Sequence, residues 1–308
     1  MKPGAKLINC ARGGLVDEEA VAAAIISGHL GGAAFDVFKK EPAIENPLFG
    51  LHNVVCTPHL GASTKEAQEN VALQVSQQMS DYLRRGAVSN ALNAPSLMAE
   101  EVPVLTPWIA AAEAIGSFAG QVTESALTEL EIEFVGAVGN LNLKPLVAAL
   151  ISSLLTPLVG GGTVNMVSAP IIARQRGIKI SEIRKDSQGA FESYIRLNVI
   201  SEKHSRSIAG TIYSDGKPRF IQIKGINLEA EPQRFMLYTT NKDLPGYIGA
   251  LGTALGDLEV NIATFALGRS QKKGQAIALL GVDDIITDKI LKKIQDLPQV
   301  ISAHSLVF

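Results

Sequence analysis

Arg12, Glu41 and His59 lie in the first 65 positions of a 308-residue chain and are residue types that can share one reaction. Oxidising a 2-hydroxy acid requires a base that takes the hydroxyl proton as hydride leaves carbon, and histidine does this near neutral pH. A carboxylate beside the imidazole orients it and favours its protonated form, the task expected of Glu41. A fixed cation must hold the substrate carboxylate and polarise the carbonyl. Arginine does so through a bidentate fork and stays charged, which assigns Arg12. Asp36 is a further acceptor, suited to the amide or ribose of a nicotinamide cofactor. Singly, each has a plain structural reading: Arg12 as a surface loop residue, Glu41 before Pro42 as a turn carboxylate, His59 after Pro58 as a loop cap.

Joint placement is what raises these residues above that reading. Residues 6–9, 33–35 and 53–56 read as short apolar strands, and Asp17 caps a helix through 20–26 closed by Gly28. Strand–helix–strand order implies a parallel sheet with helices on its faces. Arg12 lies just beyond the first strand, Asp36 and Glu41 beyond the second, and His59 beyond the third. Ligands of open α/β sheets bind outside the carboxyl ends of the strands, so all of them point to one edge.

Ser63 or Thr64 then caps a helix over 65–85, with Val71, Val75, Met79 and Leu83 at helical spacing and Gly86 as its stop. Residues 89–95 mark a boundary. Helices are predicted at 108–122 and 144–158, and strands at 128–135, 193–200, 207–213 and 218–224, with Asp215-Gly216 as a hairpin turn. Residues 233–308 give β-α-β-β-α-β, the ferredoxin-like order. The fold class is therefore α/β followed by α+β. The segments are 1–65, half of a dinucleotide-binding domain; 66–97, a long helix and return segment; 98–231, an intervening α+β domain; and 232–308, a ferredoxin-like domain.

The bulk properties exclude several classes. A net charge of −2 gives no electrostatic case for nucleic acid or an anionic membrane as partner. The apolar stretches are broken by proline or polar residues, so no membrane span is expected. Two cysteines, Cys10 and Cys56, form no cluster with histidine, which argues against a metal site. With no signal peptide in view, a reducing cytoplasm is expected.

The run from Asn9 to Glu18 (Asn-Cys-Ala-Arg-Gly-Gly-Leu-Val-Asp-Glu), Ala34-Phe35-Asp36-Val37-Phe38, Glu41-Pro42 and the run from Thr57 to Thr64 (Thr-Pro-His-Leu-Gly-Ala-Ser-Thr) resemble the signatures of the D-2-hydroxyacid dehydrogenases. Within them the resemblance is strongest to the long D-3-phosphoglycerate dehydrogenase branch, and it covers essentially the whole chain. It implies Arg12 and Glu41 as active-site residues, His59 as proton donor or acceptor, and Cys10, Ala11, Asp36, His59 and Ala62 facing NAD. It implies 3-phosphoglycerate as substrate, L-serine biosynthesis as context and a homo-oligomer. That family also carries a G-x-G-x-x-G turn. The only glycines here at the first spacing are Gly160 and Gly162, and the next required position is Asn165. The chain is accordingly expected to be the back portion of a longer enzyme, with weak or no NAD binding alone.

Residues 232–308 resemble an ACT domain through the run from Asn241 to Gly246 (Asn-Lys-Asp-Leu-Pro-Gly) and Val260-Asn261-Ile262-Ala263. Asn241, Asp243 and Asn261 are the implied candidates for an L-serine effector, with Pro245-Gly246 turning into a helix whose N-terminus can take a carboxylate. In the intervening segment Arg174, Arg176, Lys203, His204, Arg206 and Arg219 are candidates for a phosphate or carboxylate effector, or simply a solvated face.

Overall fold

A computed structural model describes every residue except 161, 188 and 203. Gly161 of the glycine triplet and Lys203 of the basic set therefore lie outside the described residues. The chain forms two units, Met1–Ser80 and Asp81–Phe308.

In the first unit β1 (Ala5–Asn9), α1 (Glu18–Ile26), β2 (Leu30–Phe35) and β3 (Val54–Cys56) form a three-stranded sheet in the order β1-β2-β3, parallel throughout. Asp17 caps α1 by accepting from the backbone N–H groups of Glu19 and Ala20, both at 3.1 Å. Val21 and Ala22 of α1 pack on Leu30, Ala33 and Phe35, with Phe38 and Leu48 closing the core. The opposite sheet face is bare: Ile8 is 75% exposed and Val55 63%. Helix α2 (Lys65–Arg85) has the predicted bounds and is capped by Thr64, whose hydroxyl accepts from Ala67 N at 3.2 Å. Its expected apolar stripe is exposed, and no residue of the helix is buried.

The second unit takes in the last residues of α2 and continues with α3 (Val102–Gln121), β4 (Leu127–Gly136), α4 (Leu143–Val159), α5 (Ala169–Gln175), β5 (Lys179–Lys185), β6 (Ser193–Ser201), β7 (Ser205–Ile212), β8 (Pro218–Ile223) and β9 (Ile226–Ala230). The strands form one sheet, β5-β4-β6-β7-β8-β9, antiparallel except for the β4–β5 pair. Helices α3 and α4 cover one face. They approach closely because Gly116 and Gly120 lie one turn apart against α4: a Cβ there would sit 2.2 Å from Leu150 O and 2.3 Å from Leu154 O. By length and composition α3 could cross a membrane, contrary to the expectation that no stretch would. Its apolar residues serve the core instead, with Leu105, Ile115 and Phe118 each 1% exposed.

The remaining elements are β10 (Phe235–Lys242), α6 (Tyr247–Gly256), β11 (Ile262–Arg269), β12 (Gln275–Val282), α7 (Asp288–Gln295) and β13 (Val300–Val307), with strand order β11-β12-β10-β13, antiparallel throughout. Alternate residues serve opposite faces of this sheet. Leu237, Ala278 and Leu280 meet α6 and α7, while Met236, Tyr238, Ile277, Leu279 and Leu306 join the core built by α3, α4 and the six-stranded sheet.

Helix α5 and strands β5 and β9 were not predicted. Helix α5 is only seven residues long, with proline in its first turn. Strand β5 lacks apolar alternation because its charges pair laterally with β4, Lys179 with Glu129 at 2.9 Å and Lys185 with Glu133 at 2.7 Å.

Candidate active site

The candidate site occupies the carboxyl edge of the three-stranded sheet, where the loops after β1, β2 and β3 emerge. Each loop is fixed by a side chain close to its strand end. After β1, the Asn9 side chain accepts from Ala11 N at 3.2 Å, an Asx turn, and donates to Arg12 O at 3.2 Å. Asn9 is buried and positions the backbone that carries Arg12. The Arg12 guanidinium is exposed and donates to Ala11 O at 2.8 Å. The neighbouring Gly13 has no alternative, since a Cβ would lie 1.8 Å from Phe38 O. The Arg12 loop and the loop carrying Glu41 are therefore in backbone contact.

After β2, Asp36 is 6% exposed, and its carboxylate organises the third loop. One oxygen accepts from Thr57 Oγ1 at 2.5 Å and Leu60 N at 2.7 Å, and the other from Gly61 N at 2.9 Å. The Thr57 hydroxyl and then the Leu60 and Gly61 N–H groups hold its carboxyl below the usual aspartate value, so it remains an anion. The expectation that Asp36 serves the cofactor is thus sharpened. Most of its acceptor capacity is spent on the His59 loop, and a ligand amide could reach only what remains on Oδ2.

Glu41 and His59 meet directly. His59 Nδ1 lies 2.7 Å from Glu41 Oε2, while Glu41 Oε1 accepts from Phe38 N at 2.9 Å. Hydrogen bonding to His59, then to Phe38 N–H, keeps the Glu41 carboxyl below its ordinary value. His59 has a left-handed backbone, φ 62°, a conformation few non-glycine residues adopt. The hydrogen bonds to Asp36 on the two residues that follow hold that turn. With Nδ1 committed to Glu41, Nε2 is the ring nitrogen left for a further partner. Behind the pair lies a cavity of about 400 Å³ lined by Glu41, His59, Phe38, Phe49, Thr57, Cys56 and neighbouring prolines. The other expected positions, Cys10, Ala11, Arg12, Asp36 and Ala62, belong to the same three loops but not to its wall. No group of three or more metal-ligating side chains occurs among the described residues.

Sequence reasoning missed Asn9, Thr57 and Glu18, the last accepting from Lys39 N at 2.7 Å and Asn46 Nδ2 at 2.6 Å to hold the loop after β2. An asparagine at a strand end with a free amide two residues on is a readable Asx-turn signal. For Glu18, 21 residues from its partner, nothing local signals the contact.

Of the effector candidates, Asn241 lies in the four-stranded sheet, and Asp243 and Asn261 lie just outside its strands β10 and β11. Asn241 is buried in β10, and its Oδ1 has no hydrogen-bond partner among the described residues. Asp243 accepts from Arg269 Nη1 at 3.2 Å and Lys273 N at 3.0 Å, and Asn261 donates to Asp283 at 2.8 Å.

Two family models match the chain. Residues 1–61 match the D-isomer specific 2-hydroxyacid dehydrogenase NAD binding domain, and residues 104–224 the D-3-phosphoglycerate dehydrogenase intervening domain. The chain is 37% identical over 301 residues to a D-3-phosphoglycerate dehydrogenase of Bacillus subtilis, covering 98% of the chain and 57% of that protein. A protein of the same name from Methanocaldococcus jannaschii is 34% identical, with 97% of the chain and 57% of the relative covered. The chain thus spans a little over half the length of these relatives.

Proposed function

We propose that this chain belongs to the D-3-phosphoglycerate dehydrogenase family and carries the acid–base half of an NAD-dependent active site that oxidises D-3-phosphoglycerate to 3-phosphohydroxypyruvate in L-serine biosynthesis. The observation that carries the reading is the Glu41–His59 pair at 2.7 Å, beyond the carboxyl ends of parallel strands in the segment that matches the NAD binding domain.

NAD, when bound, accepts the hydride. The residues present suit its nicotinamide end: strand-end backbone after β1 and β3, and the remaining acceptor capacity of Asp36. His59 Nε2 takes the substrate hydroxyl proton as hydride departs, and the Glu41 carboxylate, ionised well below neutral pH, stabilises the imidazolium that results. Arg12 pairs with the substrate carboxylate. Asp36 and Asn9 keep the two loops in register without touching substrate.

The direct test joins this chain to the part of the Bacillus subtilis relative that it does not span. The chimera is expected to bind NAD by calorimetry and to reduce it with D-3-phosphoglycerate, while the chain alone binds NAD weakly or not at all. A folded chimera that binds NAD without oxidising the substrate would refute the assignment.

The C-terminal β-α-β-β-α-β segment is read as an ACT domain that takes L-serine and joins copies of a cytoplasmic homo-oligomer. Two buried acceptors support an ammonium-bearing ligand: Asn241 Oδ1 and Gln299 Oε1 lack partners among the described residues, and their segments are tied by Lys242 N donating to Gln299 O at 2.9 Å. The adjacent Gly246, φ 89°, turns the chain into α6. Serine inhibition of the chimera is expected to be lost in Asp243→Ala with turnover intact. Retained inhibition would count against the site.

A further inference from the structure

A second site lies far along the chain, where the six-stranded and four-stranded sheets share one core. There a cavity of about 80 Å³ is walled by Arg206, Lys224, Tyr238, Ser302 and His304, together with the exposed Glu124. Water-sized groups need ~10–15 Å³ each of such space, so a group of about five to eight oxygen-sized atoms is the most that fits.

Phe118, Val122, Ile208 and Ile223 form the apolar part of its wall, and every polar side chain facing the space apart from Glu124 can donate a hydrogen bond. Arg206, in β7, donates to Val122 O at the end of α3. Lys224 follows β8 with φ 52° and is held by its own N–H donating to Ser207 O at 2.7 Å. Tyr238 and His304 face each other across β10 and β13 with rings stacked at 6.0 Å. Tyr238 is 2% exposed, and its hydroxyl has no hydrogen-bond partner among the described residues. Nor does any carboxylate among them form a salt bridge with Arg206, Lys224 or His304. Burial, then the Arg206 charge, lowers the proton affinity of Lys224. Burial chiefly lowers that of His304, with Arg206 and Lys224 adding to it and Glu124 opposing.

Two half-buried cations, Arg206 and Lys224, with Glu124 the one carboxylate on the described wall and in salt-bridge contact with neither, lie beside an orphaned hydroxyl, an arrangement that proteins rarely keep without a ligand. The group that would satisfy them together offers only acceptors, carries negative charge and has no more than about five to eight heavy atoms. We propose that this cavity binds a phosphate group and through it joins β7 and β8 of one sheet to β10 and β13 of the other. Of the basic residues noted from sequence, Arg206 alone contributes among the described residues. Lys224 and His304 are brought in by the fold. The proposal is independent of the catalytic reading.

Thermal unfolding of the whole chain tests it, with sodium phosphate compared against sodium chloride at matched ionic strength. A gain in Tm of about 3–6 °C is expected at ten times the dissociation constant. A second arm uses glycerol 2-phosphate: a gain with inorganic phosphate alone identifies the free ion, and a gain with both identifies the phosphoryl group of a larger metabolite. Tyr238→Phe removes only the orphaned hydroxyl, so without phosphate its Tm should equal or exceed the parent's, while the phosphate gain shrinks. Lys224→Asn keeps a residue that tolerates the left-handed backbone and should also shrink the gain. The proposal is overturned if neither phosphate compound exceeds chloride, or if both variants respond as the parent does.

Discussion

Replacing His59 with asparagine in the chimeric enzyme is expected to lower kcat by roughly 10²–10⁴, the usual contribution of a general acid–base group. Asparagine suits the left-handed backbone found at this position, φ 62°, so the loop held by Asp36 should survive. The loss should therefore fall on turnover, with NAD affinity little changed. A rate within a factor of a few of the parent would remove His59 from the mechanism. Glu41→Gln separates orientation from charge. The amide can still accept at one oxygen, but the anion that favours imidazolium is gone. Because the Glu41 carboxyl is held below its ordinary value, by His59 first and Phe38 N–H second, it does not itself titrate near neutrality. The plateau of kcat should then fall in the variant. A plateau equal to the parent's would show that the 2.7 Å contact does not act on the base.

Gly116→Val should be among the most destabilising substitutions in the second unit. Its Cβ would fall 2.2 Å from the Leu150 carbonyl oxygen, well inside contact distance, and the obstruction is backbone rather than a side chain that can swing away. Helices α3 and α4 would have to separate around Ile115, Phe118, Leu150 and Leu154, none more than 1% exposed. Overpacking a core costs about 1–3 kcal/mol, and loosened contacts along two helices add to it, so a loss of at least about 3 kcal/mol is expected. Urea unfolding followed by far-UV circular dichroism measures it. A midpoint equal to the parent's would show that the two helices are not held at this separation.

Much of the first unit was legible because its signals are local. Asp17 announces α1 by capping chemistry, and helix α2 was bounded by Thr64 and Gly86. Strand-end placement by itself assigns Arg12, Glu41 and His59 to one edge. The roles within that group were less legible. Asp36 reads as a cofactor ligand from its position, yet most of its hydrogen bonding is directed at residues 21 to 25 positions away. Periodicity also misled on α2, where the stripe of Val71, Val75, Met79 and Leu83 is apolar but uncovered.

Composition, periodicity and turn chemistry thus determined most of the elements, though not α5, β5 and β9, and the residue types available for proton transfer, since each depends on neighbours within a few positions. Tertiary structure alone decided which side chains meet. The Glu41–His59 contact spans 18 residues, and the cavity of Arg206, Lys224, Tyr238 and His304 draws on strands about 100 residues apart. It also decided that the two C-terminal sheets share a core. A strand's alternation shows that it has two faces, but which element covers each face depends on packing between distant segments.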